Sequence, residues 1–190
     1  MKSSAEKEPK SRAAIFCVKG FCVLLPTDHS QGQQRQSTMS KTPIASVKAC
    51  WDRIKGGSPV YRFFLSDIEI VDAENGSMVA RLSVSENLLN SKNGLHGSVS
   101  ATIVDWAGGM AIASTGLETT GVSTDIHVSY VSQAKLGDVL TIEGKVSRLG
   151  RNMAFTTVTI LKGDGDTKTV VATGTHTKYI LRDQPAASRS

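Results

Sequence analysis

Apolar and polar positions change their period several times along this chain, and each change marks an element. Thr42-Pro43 offers an N-cap and a proline at the first helical position. Ile44, Val47, Trp51 and Ile54 then fall on one face before Gly56-Gly57. That pattern predicts a short amphipathic helix. The run from Tyr61 to Val71 (YRFFLSDIEIV) ends in alternation and predicts a strand. Asn75-Gly76 supplies a hairpin turn. Met78, Ala80, Leu82 and Val84 next alternate with Val79, Arg81 and Ser83, as in a half-buried strand.

The pattern then shifts to a helical period. In the stretch from Asn90 to Ser114 (NSKNGLHGSVSATIVDWAGGMAIAS), Asn93-Gly94 signals a turn and His96-Gly97 follows it. Ala101, Val104, Ala107, Gly108 and Ala111 recur near every 3.6 residues. The other side carries Ile103, Trp106, Met110 and Ile112. A helix apolar nearly all round is a buried one. Gly108-Gly109 in its interior costs about 1 kcal/mol per glycine relative to alanine. The expected return is close approach of a neighbouring backbone.

Four strands are expected after this helix. Gly121 to Val131 (GVSTDIHVSYV) places Val122, Thr124, Ile126, Val128 and Tyr130 on one face. Ser123, Asp125, His127 and Ser129 take the other. Val139–Leu149, Met153–Leu161 and Thr169–Leu181 are the others, with turns at Gly150 and at residues 163–166. Short connections predict an antiparallel meander. One sheet curled around one buried helix is the simplest layered solution, an α+β fold with a short N-terminal helix.

Charge narrows the function classes. The net charge is +5, but residues 1–43 hold seven Lys/Arg against three acids, while residues 44–181 hold thirteen of each. The basicity belongs to the tails, so no nucleic-acid surface is expected. Residues 1–40 are expected to be a poorly ordered basic tail, 41–182 the folded domain and 183–190 a flexible C-terminal tail. Ala13–Pro26 is apolar but broken by Lys19 and too short to span a bilayer, so no stable membrane insertion is expected. Cys17, Cys22 and Cys50 are odd in number, and His29, His96, His127 and His176 show no zinc spacing. Reduced thiols in an intracellular protein are expected, cytoplasmic or alternatively mitochondrial, with no metal.

Asp105 is the candidate for chemistry. It is the sole acid between Glu86 and Glu118, flanked by Val104 and Trp106. Burial there would raise its proton affinity toward the working range of a base. Gly97, eight residues earlier, lies near the helix start, where unpaired N–H groups can hold an anion or an oxyanion. Structural pairing is the competing explanation for a buried acid. Lys135, Arg148, Arg151 and Lys178 are plain surface charges, or a cluster at a channel mouth suited to phosphates. No Gly-x-Ser-x-Gly elbow and no phosphate-binding glycine loop occur.

Four blocks in order carry a resemblance: Leu95-His96-Gly97 with Asp105, residues 121–138 (GVSTDIHVSYVSQAKLGD), residues 150–158 (GRNMAFTTV) and residues 174–181 (GTHTKYIL). Over about residues 44–181 the chain resembles the hotdog-fold acyl-CoA thioesterases, the group of thioesterase superfamily member two and the phenylacetate-pathway enzymes. The resemblance implies a sheet wrapped around a central helix, and homodimers or homotetramers with active sites shared between subunits. It implies hydrolysis of fatty or aryl acyl-CoA, with coenzyme A entering as part of the substrate and no separate cofactor. By position, Asp105 matches the catalytic acid, either general base or nucleophile, and Gly97 the oxyanion-hole glycine. Asn90 matches the asparagine that helps hold water and thioester, Ser123 the serine that positions the water, and His96 the histidine beside the oxyanion hole. The CoA channel maps to Tyr130, Val131, Ser132, Gln133, Ala134 and Lys135, then to Arg148, Leu149, Gly150, Arg151, Asn152 and Met153, and to Tyr179. A second glycine usual in the family is Ser98 here, whose hydroxyl would cap the helix or narrow the acyl entrance. Two alternatives stand beside hydrolysis: a hotdog dehydratase, disfavoured by an acid placed inside the helix, and a non-catalytic acyl-CoA-binding protein, disfavoured by the retained Asn90, Gly97, Asp105 and Ser123.

Overall fold

The computed structural model describes residues 41–163 and 165–180, together with the backbone of two short strands, β1 (Ile15–Val18) and β2 (Phe21–Leu24). The chain divides into two compact units, Met1–Met39 and Ser40–Ser190. In the first, β1 and β2 pair antiparallel, Ile15 opposite Leu24 and Val18 opposite Phe21. The other positions of the two expected tails lie outside the described residues.

The second unit opens with α1 (Pro43–Gly57), started as its sequence predicts. Thr42 Oγ1 accepts the Ala45 N–H at 3.4 Å, and Pro43 takes the first helical position. Val47, Cys50 and Trp51 are buried on its inner face. A second helix, α2 (Pro59–Phe64), replaces the N-terminal half of the strand expected over residues 61–71. Ser58-Pro59 repeats the cap-and-proline start, with Ser58 Oγ accepting the Tyr61 N–H at 3.3 Å. That local signal overrides the strand preference of the aromatic run. The strand is the shorter β3 (Glu69–Glu74).

β4 (Ser77–Ser83) follows the Asn75-Gly76 turn, where Gly76 has φ of 85°. Met78, Ala80 and Leu82 alternate inward as expected. After the long helix α3 (Gly97–Ala113) come β5 (Val122–Tyr130), β6 (Val139–Leu149), β7 (Met153–Lys162) and β8 (Thr169–Tyr179). The sheet order is β3-β4-β6-β7-β8-β5, antiparallel throughout.

The expected four-strand meander therefore holds only for β6–β8. β5 occupies the far edge beside β8, three strand spacings from β6, about 14 Å. Residues 131–138 make that crossing. Val131 N and Ser132 N both donate to Val171 O, and Leu95 N donates to Ala134 O at 2.8 Å, so the crossing segment also braces the chain entering α3.

α3 is buried nearly all round and lies across one face of the sheet, the hotdog architecture that the resemblance implies. Two sheet glycines let it sink. A Cβ on Gly174 would lie 2.7 Å from the Val104 methyls, and one on Gly144 would lie 2.8 Å from Ala107 O. Trp106 meets Trp51 of α1 edge to face at 5.4 Å between ring centroids. Among the described residues, no helix is long and apolar enough to cross a membrane.

Candidate active site

The start of α3 is fixed from both sides. His96 N donates to Leu88 O at 2.8 Å, and His96 Nδ1 caps the helix by accepting the Ser98 N–H at 3.1 Å. Ser98 Oγ lies 2.7 Å from the same Nδ1. The cap is thus histidine, and the Ser98 hydroxyl partners the histidine. This cap leaves the N–H of Gly97 for an outside acceptor. The helix start is closely covered: a Cβ on Gly97 would meet the Tyr130 ring at 3.3 Å, and Tyr130 OH donates to Gly97 O at 3.2 Å. Asn90 lies in the loop before the helix. Its Oδ1 accepts from Lys92 N at 2.9 Å and Gly94 N at 3.2 Å, closing a turn in which Asn93 takes a positive φ of 57°.

Two turns further along α3, Asp105 is gripped from two elements. Tyr61 OH, on α2, donates to Oδ2 at 2.6 Å. Ser123 Oγ, on β5, donates to Oδ1 at 3.4 Å. The carboxylate side chain is 30% exposed, so Asp105 is not the enclosed acid that Val104 and Trp106 suggest. The helical period turns residue 105 away from both neighbours. It points into a cleft of about 410 Å³, lined also by Ser58, Val60, Tyr61, Ala101, Thr102 and Ile126.

Behind Ser123 stand two buried basic side chains of β8. His176 Nε2 is 2.9 Å from Ser123 Oγ and 3.6 Å from Asp105 Oδ1, and Lys178 Nζ is 3.2 Å from Ser123 Oγ. Burial pushes the His176 imidazole below its ordinary range, and the Lys178 charge adds to that, against Asp105 and Asp125. Burial also lowers Lys178, opposed by Asp105 and Cys50. Among the described residues His176 Nδ1 has no hydrogen-bond partner, so the network assigns the proton of the neutral ring to Nε2. Ser123 then accepts from two donors and turns its own hydrogen toward Asp105. The Tyr61 phenol is pushed upward, chiefly by burial and then by its bond to Asp105, and stays a donor.

Ser123 reaches this cluster through an irregularity. The β5–β8 ladder shifts register between Ser123 and Asp125, leaving Thr124 as the extra residue. Ser123 pairs with Lys178 and Ile126 with His176, both on the helix side, while Asp125 pairs with Thr177 on the outer side. The even alternation expected for residues 121–131 is therefore corrected. Ser123 shares a face with Ile126, Val128 and Tyr130, and Val122 moves to the outside. Lys178 is likewise corrected: it is 6% exposed and serves Ser123, not a channel mouth.

The two segments expected along the CoA channel lie at opposite ends of this sheet. Tyr130 pairs with Ala172, and Tyr130, Val131, Ser132 and Gln133 help line a second cleft of about 430 Å³ beside Gly97. Ala134 is buried and Lys135 N donates to Asp138 Oδ2 at 2.9 Å. Residues 148–153 form the β6–β7 turn, where Gly150 N donates to Met153 O at 2.8 Å and Asn152 Nδ2 donates to Tyr179 OH at 3.4 Å. Met153 and Val122 both pair with Tyr179. From Ala172 to Tyr179 the strand climbs about 23 Å, so one chain does not bring the two segments together.

Tyr61, His176 and Lys178 were not anticipated beside Asp105. For the last two a signal existed, since Gly174, His176, Lys178 and Ile180 alternate on one face. Among the described residues, no three His, Cys, Asp or Glu side chains are grouped as a metal site would need.

Comparison with known proteins finds relatives in sequence and in fold. Residues 93–169 match the family model described as the thioesterase superfamily. Human acyl-coenzyme A thioesterase 13 is 35% identical over 116 residues, covering 61% of this chain and 81% of the relative. The crystal structure of zebra fish thioesterase superfamily member 2 superposes with a TM-score of 0.65 at 32% identity, covering 74% of this chain and 99% of that one. A hypothetical thioesterase protein of Streptococcus pneumoniae TIGR4, solved with coenzyme A, superposes with a TM-score of 0.56 at 30% identity, covering 60% of this chain and 89% of the other.

Proposed function

The chain belongs to the thioesterase superfamily and is a thioester hydrolase, and we propose that its substrates are fatty or aryl acyl-CoA thioesters, split into the free acid and coenzyme A. The observation that carries this reading is the Asp105 carboxylate, held by Tyr61 and Ser123 at the wall of an open, largely apolar cleft. The name of the human relative and the coenzyme A in the pneumococcal structure support the choice of substrate.

In this reading Asp105 removes a proton from a water placed beside Ser123. The water oxygen attacks the thioester carbon, and the carbonyl oxygen becomes an oxyanion. An N–H at the start of a helix, such as that of Gly97, stabilises it by about 3 kcal/mol. The C–S bond then breaks, coenzyme A leaves as thiolate and takes up a proton, and the acid is released. No step calls on a further cofactor.

Gly97 and Asp105 of one chain cannot serve one carbonyl. Eight residues of helix separate them by about 12 Å. The reading therefore places Asp105 and Ser123 of one subunit against Gly97 and Asn90 of a second copy. Antiparallel pairing of the edge strand β5 with its symmetry mate brings the Tyr130 end of one copy to the Ser123 end of the other. The same operation brings Tyr130–Lys135 of one copy toward Arg148–Met153 and Tyr179 of its partner.

The test is thiol release from acyl-CoAs of graded chain length, by the parent and by Asp105→Asn. The variant keeps the shape and loses the base, so turnover is expected to fall on the order of 10³-fold while folding and coenzyme A affinity persist. A parent that releases thiol from none of them, or a variant as fast as the parent, overturns the reading.

A further inference from the structure

We propose that Tyr61 is a positioning residue for Asp105: its hydroxyl occupies Oδ2 and leaves Oδ1, on the Ser123 side, as the oxygen that takes the proton from water. This role rests on Asp105 being the base.

The two carboxylate oxygens have unlike surroundings. At Oδ2 the tyrosine contact is 2.6 Å, the length of a charge-assisted O–H···O⁻ bond. At Oδ1 the neighbours stand back, Ser123 Oγ at 3.4 Å and His176 Nε2 at 3.6 Å. An oxygen already held by a short bond has less electron density to give a proton. The more weakly engaged oxygen is the better base and faces the hydroxyl that would steer the water.

Packing alone does not account for the Tyr61 hydroxyl. Its ring is tilted against Trp51 at 6.0 Å between centroids, a contact phenylalanine would keep. The hydroxyl reaches past that contact to the wall of the Asp105 cleft. It cannot itself serve as base, since burial and the neighbouring carboxylate keep the phenol protonated. Arriving on α2, it gives Asp105 an anchor independent of the sheet.

The groups that bear on proton uptake at Asp105 come from every element around it. Tyr61 faces it from α2, Ser123 from β5, and His176 and Lys178 from β8, while Asp125, on the outer side of β5, bears on His176. Cys50 of α1 bears on Tyr61 and Lys178. Tyr61→Phe deletes one donor to the anion and leaves the others in place. The anion is then held less firmly, so the acid limb of the rate profile is expected to move to higher pH.

The experiment compares full-length parent and Tyr61→Phe in two ways. One is the pH dependence of kcat/KM on an acyl-CoA. The other is a ¹³C-carboxyl titration of Asp105, identified by the signal missing from Asp105→Asn. Expected are upward shifts in both, with kcat on the plateau lowered roughly tenfold and KM nearly unchanged. Coincident profiles and coincident titrations overturn the role. Should no acyl-CoA be hydrolysed by the parent, the proposed function fails, while the carboxyl titration still decides whether Tyr61 tunes Asp105. If Tyr61→Phe does not fold, a fluorinated tyrosine at position 61 replaces it. Its more acidic hydroxyl is the stronger donor, so the shift is expected downward, and no shift again overturns the role.

Discussion

Ser123 and Lys178 stand opposite each other across the β5–β8 ladder, with Lys178 Nζ 3.2 Å from Ser123 Oγ. His176 Nε2 converges on the same oxygen at 2.9 Å. One hydroxyl accepting from two donors has one direction left for its own hydrogen, toward Asp105. If Asp105 activates a water, that water would meet the directed hydroxyl, and the buried lysine would act on the chemistry without touching substrate.

Lys178→Met keeps the aliphatic stem and removes the donor and the charge. Ser123 loses one of its two anchors, and Asp105 loses a nearby cation. Expected is a fall of about tenfold in kcat with KM for acyl-CoA almost unchanged. Because an apolar group replaces a buried ion, the melting temperature should hold or rise. Steady-state kinetics and thermal unfolding check both. A raised KM with kcat intact would mean that Lys178 binds coenzyme A phosphate after all.

The central helix, the hairpin at Asn75-Gly76 and the α1 cap were legible because each is written in neighbouring residues. The Thr124 bulge was not. A single extra residue reverses every later face of a period-two strand, and nothing in GVSTDIHVSYV shows where it falls. Tyr61 was hidden by an aromatic run whose helix start, Ser58-Pro59, lies just upstream. His176 and Lys178 sit on a readable inner face, but their partner Ser123 is 53 and 55 residues away, and that register belongs to the fold.

Acid sensitivity of the fold should trace to His176. Its side chain is fully buried, and burial holds the imidazole below its ordinary range. The unfolded chain takes this proton near pH 6.5, whereas the folded chain resists it. The unfolded state therefore binds more protons below about pH 6.5, and stability falls with pH from there by at most about 1.4 kcal/mol per unit. His176→Gln should flatten that slope. Unfolding midpoints across this range, for parent and variant, make the comparison. Equal slopes would assign the acid sensitivity to other groups.

The paired glycines of α3 should behave differently. A Cβ on Gly108 would lie 2.7 Å from Thr156 Oγ1 and 2.9 Å from His176 Nδ1. The close approach is by side chains, not by the backbone that the sequence led us to expect. One on Gly109 would meet Thr120 no closer than 3.6 Å, an ordinary contact. Gly108→Ala is expected to destabilise by about 1–3 kcal/mol through overpacking, and to disturb His176 as well. Gly109→Ala should be neutral or stabilise by up to about 1 kcal/mol, from helix propensity. Denaturant midpoints with unchanged slopes decide the matter, and equal losses at the two positions would refute the distinction.

The shared site has the most demanding test. Within one chain Asn90 closes its own loop, Gly97 lies two turns from Asp105, and the edge strand β5 exposes Val122, Ile126 and Tyr130. An edge of this kind invites pairing with another copy. If Asn90 and Gly97 serve the partner's Asp105, then Asn90→Ala and Asp105→Asn subunits are each inactive alone and complement when mixed. In a heterodimer one site carries both lesions and the other carries neither. Random exchange makes about half of the dimers mixed, and each mixed dimer keeps one good site of two, so activity should return to about a quarter of the parent value. Exchange is verified with differently tagged subunits recovered together. Proven exchange without recovery would mean that each site is built within one chain, and the oxyanion donor for Asp105 would then have to be a group other than the Gly97 N–H.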